Sequence, residues 1–247
     1  METGEYKINN GPWYLREANF FRAFKEAGFE PRTIFDIGSS DSGWSYDIAR
    51  LFPKAQFHLF EPLLDHRPFY RENTANILLA RPDFRIHKVA VGDVDGTIKI
   101  GLDETGYAAS TLLNQANVTL TERIDVPIRR LDTMVFELGL PRPDVLKLDV
   151  QGAELAILMG SGSLLDNVQL IQTEVWLMRK YGEETPLLHE VNEYLRSKGF
   201  FLIAFGDFYY GDYHEVFAAD AFFARTDLLS RCAVRLPKSS LTEKPGL

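Results

Sequence analysis

The run Thr33-Ile34-Phe35-Asp36-Ile37-Gly38-Ser39-Ser40-Asp41-Ser42-Gly43-Trp44-Ser45 constrains the fold more than any other part of this chain. It reads as a short apolar strand that ends on an acid and turns through glycine. Polar residues follow, and a second glycine opens a helix. Glycine lets the backbone take positive φ and approach a ligand closely, while a helix start offers N–H groups without intrahelical partners. Such a strand–turn–helix predicts a nucleotide-like ligand at the carboxyl edge of a parallel α/β sheet.

Three nucleotide loops compete for the segment. Gly38 and Gly43 have P-loop spacing, but Trp44 stands where the phosphate-binding lysine belongs. A dinucleotide fingerprint needs a second glycine where Ser40 stands, and Asp41 follows it, so a pyrophosphate would meet a carboxylate. Asp36 and Asp41 oppose a phosphate and favour a cation. S-adenosylmethionine, with a sulfonium, an amino group and no phosphate, suits the loop better. A plain strand–helix turn capped by Asp41 or Ser42 remains open at this point.

A second apolar run, Gln56-Phe57-His58-Leu59-Phe60, ends on Glu61-Pro62. In βαβ nucleotide folds an acid about twenty residues after the glycine loop accepts the ribose hydroxyls. Glu61 has that position. A third motif is Asp144-Val145-Leu146-Lys147-Leu148-Asp149-Val150-Gln151-Gly152-Ala153-Glu154. Lys147 and Asp149 alternate with apolar residues and therefore share one face of a strand. Asp149, near its carboxyl end, is expected to look into the same crevice as Asp36 and Glu61. Glu154 suits the first turn of the following helix, as ligand or as cap.

The 247 residues suit one domain with a substantial core, and the net charge of −8 argues against a broad nucleic-acid footprint. Cys232 is the only cysteine, which suits a reducing compartment. No signal-peptide pattern and no run of membrane-spanning length is visible, so a cytoplasmic protein is expected.

The periodicity predicts a helix over Tyr14–Ala27 and strands at Thr33–Ile37, Gln56–Phe60, Phe84–Val91 and Thr97–Gly101. Further strands are expected at Ile124–Arg129, Val145–Val150 and Val168–Val175, with a helix near Asp132–Leu138. Ala108–Thr121 is polar and stays unassigned. Thr185 reads as the N-cap of a helix that Gly199 closes, with Pro186 in its first turn. Phe200–Phe205 and Val216–Ala224 read as strands around the aromatic loop Gly206–His214. The result is a mostly parallel sheet with an antiparallel carboxyl-terminal hairpin.

Taken in order, the glycine loop Asp36–Gly43, Glu61-Pro62, Val89-Ala-Val-Gly-Asp93, Leu131-Asp-Thr133 and Leu146-Lys-Leu-Asp-Val-Gln-Gly-Ala-Glu154 resemble the FkbM-type methyltransferases. The resemblance runs from about Thr33 to Arg225, and Lys-x-Asp-x-x-Gly-x-Glu at 147–154 is its most discriminating piece. The family commonly has Asn where Ser40 stands and Glu where Gln151 stands. The resemblance implies a single Rossmann-like class I methyltransferase domain with a seven-stranded sheet and helices on both faces. It spans residues 31–226, after a helical extension over 1–30 and before a tail over 227–247.

It also implies S-adenosylmethionine as cofactor. Asp36, Gly38, Ser40 and Gly43 would surround the methionine moiety, Glu61 would take the ribose, and Val89 and Ala90 would border the adenine. Asp149 would lie between cofactor and acceptor. A sugar, glycan or secondary-metabolite hydroxyl is the implied acceptor, and its high pKa calls for a base or metal. Asp149 is the first candidate, with Glu174 and His214 behind it. Gln151 is not acidic and no compact set of hard oxygen ligands is visible, so no metal is assigned. Tyr209, Tyr210 and Tyr213 suit stacking on a sugar face or packing equally. A homodimer is an admissible assembly. A nicotinamide oxidoreductase and a non-catalytic cofactor-binding protein are the rival readings.

Overall fold

In a computed structural model, residues 13–103, 109–110 and 120–231 are described. The first half comprises α1 (Trp13–Glu26), β1 (Thr33–Ile37), α2 (Gly43–Leu51), β2 (Gln56–Phe60), α3 (Pro68–Ala80), β3 (Arg85–His87), β4 (Ala90–Gly92), β5 (Gly96–Asp103) and β6 (Ala109–Ser110). The second comprises β7 (Leu120–Arg130), α4 (Leu131–Glu137), β8 (Val145–Leu148), α5 (Glu154–Gly160), β9 (Leu170–Trp176), α6 (Leu188–Ser197), β10 (Phe200–Tyr210), β11 (Val216–Arg225) and α7 (Thr226–Arg231).

A seven-stranded sheet runs in the order β3-β2-β1-β8-β9-β11-β10. Strands β3, β2, β1, β8 and β9 are mutually parallel, and β11 runs antiparallel to both of its neighbours. The sheet is therefore mostly parallel with one reversed strand, as expected. Its strands β1, β8 and β9 are buried throughout and mostly apolar, as a sheet covered on both faces requires, with Asp36, Lys147 and Glu174 as buried charged exceptions. One face packs Phe21, Ile48, Phe52 and Phe57 under α1 and α2; the other packs Met134, Leu158, Leu165 and Leu195 under α4, α5 and α6. Phe20 of α1 stacks on Phe222 of β11 with centroids 3.8 Å apart, which brings α1 against the reversed strand.

Four differences from the sequence reading have physical causes. Phe84–Val91 is not one strand: β3 joins the main sheet, while β4 belongs to a second sheet of order β4-β7-β5-β6. The chain turns at Lys88, where the Val89 N–H donates to the His87 carbonyl at 3.0 Å. The helix expected from Thr185 begins at Leu188, with Leu187 as N-cap and its N–H held by Glu190 Oε2 at 2.6 Å. Thr185 instead accepts the Tyr181 N–H at 3.1 Å. Strand β10 continues through Tyr210 and consumes most of the expected aromatic loop. The expected tail begins with α7, and residues 232–247, including Cys232, lie outside the described residues. So do residues 1–12 and most of the unassigned Ala108–Thr121 segment. No helix among the described residues is long and apolar enough to cross a membrane.

Gly160, the last residue of α5, fixes how closely that helix meets β4. A Cβ there would stand 2.7 Å from the Gly92 carbonyl carbon and 3.0 Å from the Asp93 Cα. Both are backbone atoms that no rotamer change can move. Gly160→Ala is therefore expected to destabilise the fold by about 1–3 kcal/mol, the usual cost of overpacking, despite alanine's better helix propensity. Urea denaturation would show it, and a stabilised variant would refute the close approach.

Candidate active site

The carboxyl ends of β1, β2 and β8 open on one crevice, because parallel strands end on the same edge of the sheet. Three backbone features shape it. Gly38 has φ +79° and its N–H donates to the Phe60 carbonyl at 2.9 Å, so the loop after β1 turns back over β2. A Cβ on Gly38 would lie 2.9 Å from the Asp149 carbonyl carbon, which joins the glycine loop to the turn after β8. Ser40 and Ser42 also adopt left-handed φ, at 49° and 69°. That conformation is one asparagine tolerates better than most residues, which accounts for the family's usual residue at position 40.

Polar side chains lock this loop. Asp41 accepts the Gly43 N–H through Oδ1 at 3.0 Å and the Asn73 amide through Oδ2 at 3.1 Å. Ser42, not Asp41, is the N-cap of α2 and makes no side-chain cap bond. Asp41 closes the turn just before it, and α3, absent from the sequence reading, serves as the loop's outer wall. Ser42 Oγ meets Thr74 Oγ1 at 2.9 Å, adding a second tie to α3. Glu61 accepts the Ser40 N–H at 2.9 Å and the Leu63 N–H at 2.9 Å, one on each carboxyl oxygen. Burial pushes its pKa up to about 7 even though both N–H donors pull it down.

The turn after β8 is held from below by Glu154. This fully buried carboxyl accepts the Gly152 N–H at 3.0 Å and the Val150 N–H at 3.3 Å. Gln151 and Gly152 take positive φ of 58° and 101° there. Glu154 is therefore the clasp of the turn that carries Asp149. Burial raises its pKa to about 7, against the pull of those donors.

Two cavities meet at Asp149 and Gln151. The first, of about 540 Å³, is walled by Gly38, Ser40, Glu61, Val89 and Ala90, with Ile98, Ile100 and Ile128 of the second sheet closing its far side. Among the described residues that line it, Glu61, Asp93, Asp149 and Glu184 are acids, and none is lysine, arginine or histidine. The second cavity, of about 760 Å³, lies between β9 and the β10–β11 hairpin, lined by Glu174, Trp176, Tyr181, Tyr209 and Phe217.

The sequence candidates thus divide. Gly38, Ser40, Glu61, Val89, Ala90 and Asp149 line the first cavity. Asp36 lies beneath it, fully buried, with Oδ2 accepting the Ser45 hydroxyl at 2.7 Å and Oδ1 facing the Lys147 ammonium at 3.2 Å. Burial raises its pKa, and Lys147 and Ser45 offset only part of that rise. Gly43 sits at the start of α2, outside the lining. Glu174 reaches the second cavity, and His214 is exposed in the β10–β11 turn, outside both.

Lys147 is the hub of this edge. Its Nζ lies 3.2 Å from Asp36, 3.3 Å from the half-exposed Asp149 and 5.5 Å from the Trp44 ring centroid. Burial alone would lower its pKa, but Asp36, Asp149 and Glu17 raise it above the ordinary value, so the lysine stays charged. The sequence reading passed over Tyr70, Trp176, Tyr181 and Asp220. Asp220 carried an unused signal: an acid inside the apolar strand Val216–Arg225. Among the described residues no group of three or more His, Cys, Asp or Glu is arranged to hold a metal ion.

The comparisons with known proteins agree with this arrangement. Residues 36–202 match the Methyltransferase FkbM domain, about two thirds of the chain. The chain is 32% identical over 167 residues to the 2-O-methyltransferase NoeI of Sinorhizobium fredii, covering 62% of this chain and 67% of that one. It is 27% identical over 202 residues to the AMB antimetabolite synthetase AmbE of Pseudomonas aeruginosa, spanning 68% of this chain but 9% of that much longer protein. A crystal structure of Methyltransferase FkbM from Methylobacillus flagellatus KT superposes with a TM-score of 0.51 at 12% identity. That match covers 78% of this chain and 43% of the other, and at such identity it speaks for the fold. A family match across the glycine loop, Glu61 and the Lys147–Glu154 motif, on the class I methyltransferase sheet, makes this chain a member of the FkbM methyltransferases.

Proposed function

We propose that the first cavity takes S-adenosylmethionine and that the protein moves its methyl group to a hydroxyl of a sugar, glycan or secondary metabolite held in the second. The observation that carries the cofactor reading is the charge of the first cavity. Four carboxylic side chains and no cationic one line it among the described residues. A pyrophosphate would be repelled there, whereas a ligand with a sulfonium and an ammonium is attracted. The cavity also has the size of a nucleoside-bearing ligand and apolar walls on one side. The likeness to a 2-O-methyltransferase supports an oxygen acceptor.

When bound, S-adenosylmethionine supplies an electrophilic methyl carbon on sulfur. The chain's own residues do the rest. Glu61, with one N–H donor already on each oxygen, has lone pairs left for the two ribose hydroxyls. Val89 and Ala90 form an apolar edge for the purine. Ser40 and Gly38 bring the glycine loop against the methionine moiety, with Asp36 and Gly43 shaping that loop from beneath and behind. Asp149, at the junction of the cavities, orients the acceptor hydroxyl and receives its proton as the oxygen–methyl bond forms and the sulfur–methyl bond breaks. Glu174 contacts the acceptor. The exposed His214 receives no role.

Isothermal titration tests the cofactor reading. S-adenosylmethionine or S-adenosylhomocysteine is expected to bind and NAD is not. Glu61→Ala is expected to weaken binding about tenfold or more, as removal of a charged hydrogen-bond acceptor costs about 1.5–3 kcal/mol. Because only the ionised carboxylate accepts both hydroxyls, wild-type affinity is expected to rise as pH passes upward through about 7. Unchanged affinity in Glu61→Ala would remove Glu61 from the site. NAD binding without binding of the methyl donor would overturn the assignment.

A further inference from the structure

Counting charges along the crevice leaves a surplus that the cofactor does not consume. The register places Asp36, Lys147 and Gln172 side by side on β1, β8 and β9, with Glu174 opposite Asp220 on β11. Lys147 faces Asp36 and Asp149, and Asp149 and Glu61 already front the first cavity. Glu174 then remains in the lining of the second cavity, with its register partner Asp220 outside that lining; both are more than nine-tenths buried. Among the described residues no lysine, arginine or histidine lines that cavity.

Two buried polar atoms there lack partners. Glu174, 6% exposed, has no hydrogen-bond partner on Oε2, and Trp176, 2% exposed, has none on Nε1. Unpaired buried polar groups are uncommon and costly, and both residues line the same cavity. Asp220 is engaged by the Tyr209 hydroxyl at 3.1 Å. The groups facing Glu174 are Asp149, Glu154 and Asp220, with Lys147 as the cation, and the mutual repulsion of the acids adds to burial in raising its pKa well above the usual carboxylate range.

The walls suit a cation as well. Trp176 and Phe217 stack with centroids 6.1 Å apart, Tyr181 meets Trp176 edge-on at 4.9 Å, and Tyr209 lies 6.4 Å from Phe217. Aromatic faces attract ammonium groups. The Phe217 ring already holds the exposed Lys180 ammonium 4.8 Å from its centroid, outside the cavity lining. A neutral acceptor would leave Glu174 a buried carboxyl with an unsatisfied oxygen beside Asp149, whereas an ammonium would favour its ionised form and satisfy that oxygen.

Resting on the methyl-transfer reading, we infer that the second cavity selects a hydroxylated acceptor bearing a protonated amine, an amino sugar by chemical class, with Glu174 as the residue that reads the amine. The Trp176 N–H is then left for a hydroxyl of the same molecule.

The test uses the full chain saturated with S-adenosylhomocysteine and three probes: glucosamine, N-acetylglucosamine and glucose. Titration followed by saturation-transfer NMR is expected to give glucosamine at least tenfold tighter binding than either neutral sugar. Glu174→Gln, which keeps shape and removes the charge, is expected to abolish that preference while still binding S-adenosylhomocysteine. Equal affinity for the three sugars, no glucosamine binding, or a preference that survives Glu174→Gln would overturn the inference. Should the variant not fold, the wild-type ranking decides alone. Failure to bind S-adenosylhomocysteine is a different result, and it overturns the cofactor reading on which the inference stands.

Discussion

Asp149→Asn is expected to slow methyl transfer by about 10²–10⁴, the range associated with loss of a general base. The position explains the size. Asp149 lines both cavities, follows the last residue of β8 and is half-exposed, so it reaches any acceptor that spans the junction. Its Oδ2 lies 3.3 Å from the Lys147 ammonium, which fixes the carboxylate without burying it. Asparagine keeps the shape and most of the hydrogen bonding but takes up no proton. The measurement is transfer of a labelled methyl group from S-adenosylmethionine into small molecules of a cell extract, with cofactor affinity determined in parallel. A fall in rate at constant affinity places Asp149 on the acceptor. A parallel loss of both places it on the cofactor's amino group. An unchanged rate in a folded variant makes it structural and ends the catalytic assignment.

What the sequence revealed of this site follows from how local each signal is. The glycine loop, the acids ending β2 and β8, and strands β1 and β2 are written within short runs, and the structure returns the two strands at their expected bounds. The second sheet was not legible. Ile98, Ile100 and Leu102 alternate along β5, and Ile124, Val126 and Ile128 along β7, yet only the pairing of those two strands shows that they face one core. The run from Phe84 to Val91 carries no glycine or proline to mark the break between β3 and β4. Helix α3 was missed for a different reason: it buries only Tyr70 and Thr74 fully, so it has little apolar face to recognise. The second cavity draws on β9, β10, β11 and the Tyr181 segment, whose convergence is a product of the strand order β9-β11-β10. Lys147 was visible as a charge in an apolar strand, but its pairing with Asp36, far away in sequence, needed the β1–β8 register.

That pairing carries the second large effect. Lys147→Met keeps the length of the side chain but removes the ammonium that faces the fully buried Asp36 and lies over the Trp44 ring. Removing one partner of a buried ion pair costs about 3–5 kcal/mol, because the other charge stays desolvated. The pH dependence has a definite sign. Burial already holds the Asp36 pKa above its unfolded value of 3.8, and without Lys147 it rises further. A carboxyl that binds its proton more tightly when folded contributes stability that is fully present below the unfolded pKa and is lost as pH rises through the folded one. The deficit of Lys147→Met relative to wild type is therefore expected to be small near pH 4.5 and largest at pH 8. Asp36→Asn added to Lys147→Met is expected to recover most of the loss at pH 8, since the buried charge that needed the lysine is gone. Guanidinium denaturation of the wild type and both variants at the two pH values measures all of this. A deficit equal at both pH values, or a double variant no more stable than Lys147→Met, would mean that Asp36 does not depend on Lys147 for folding.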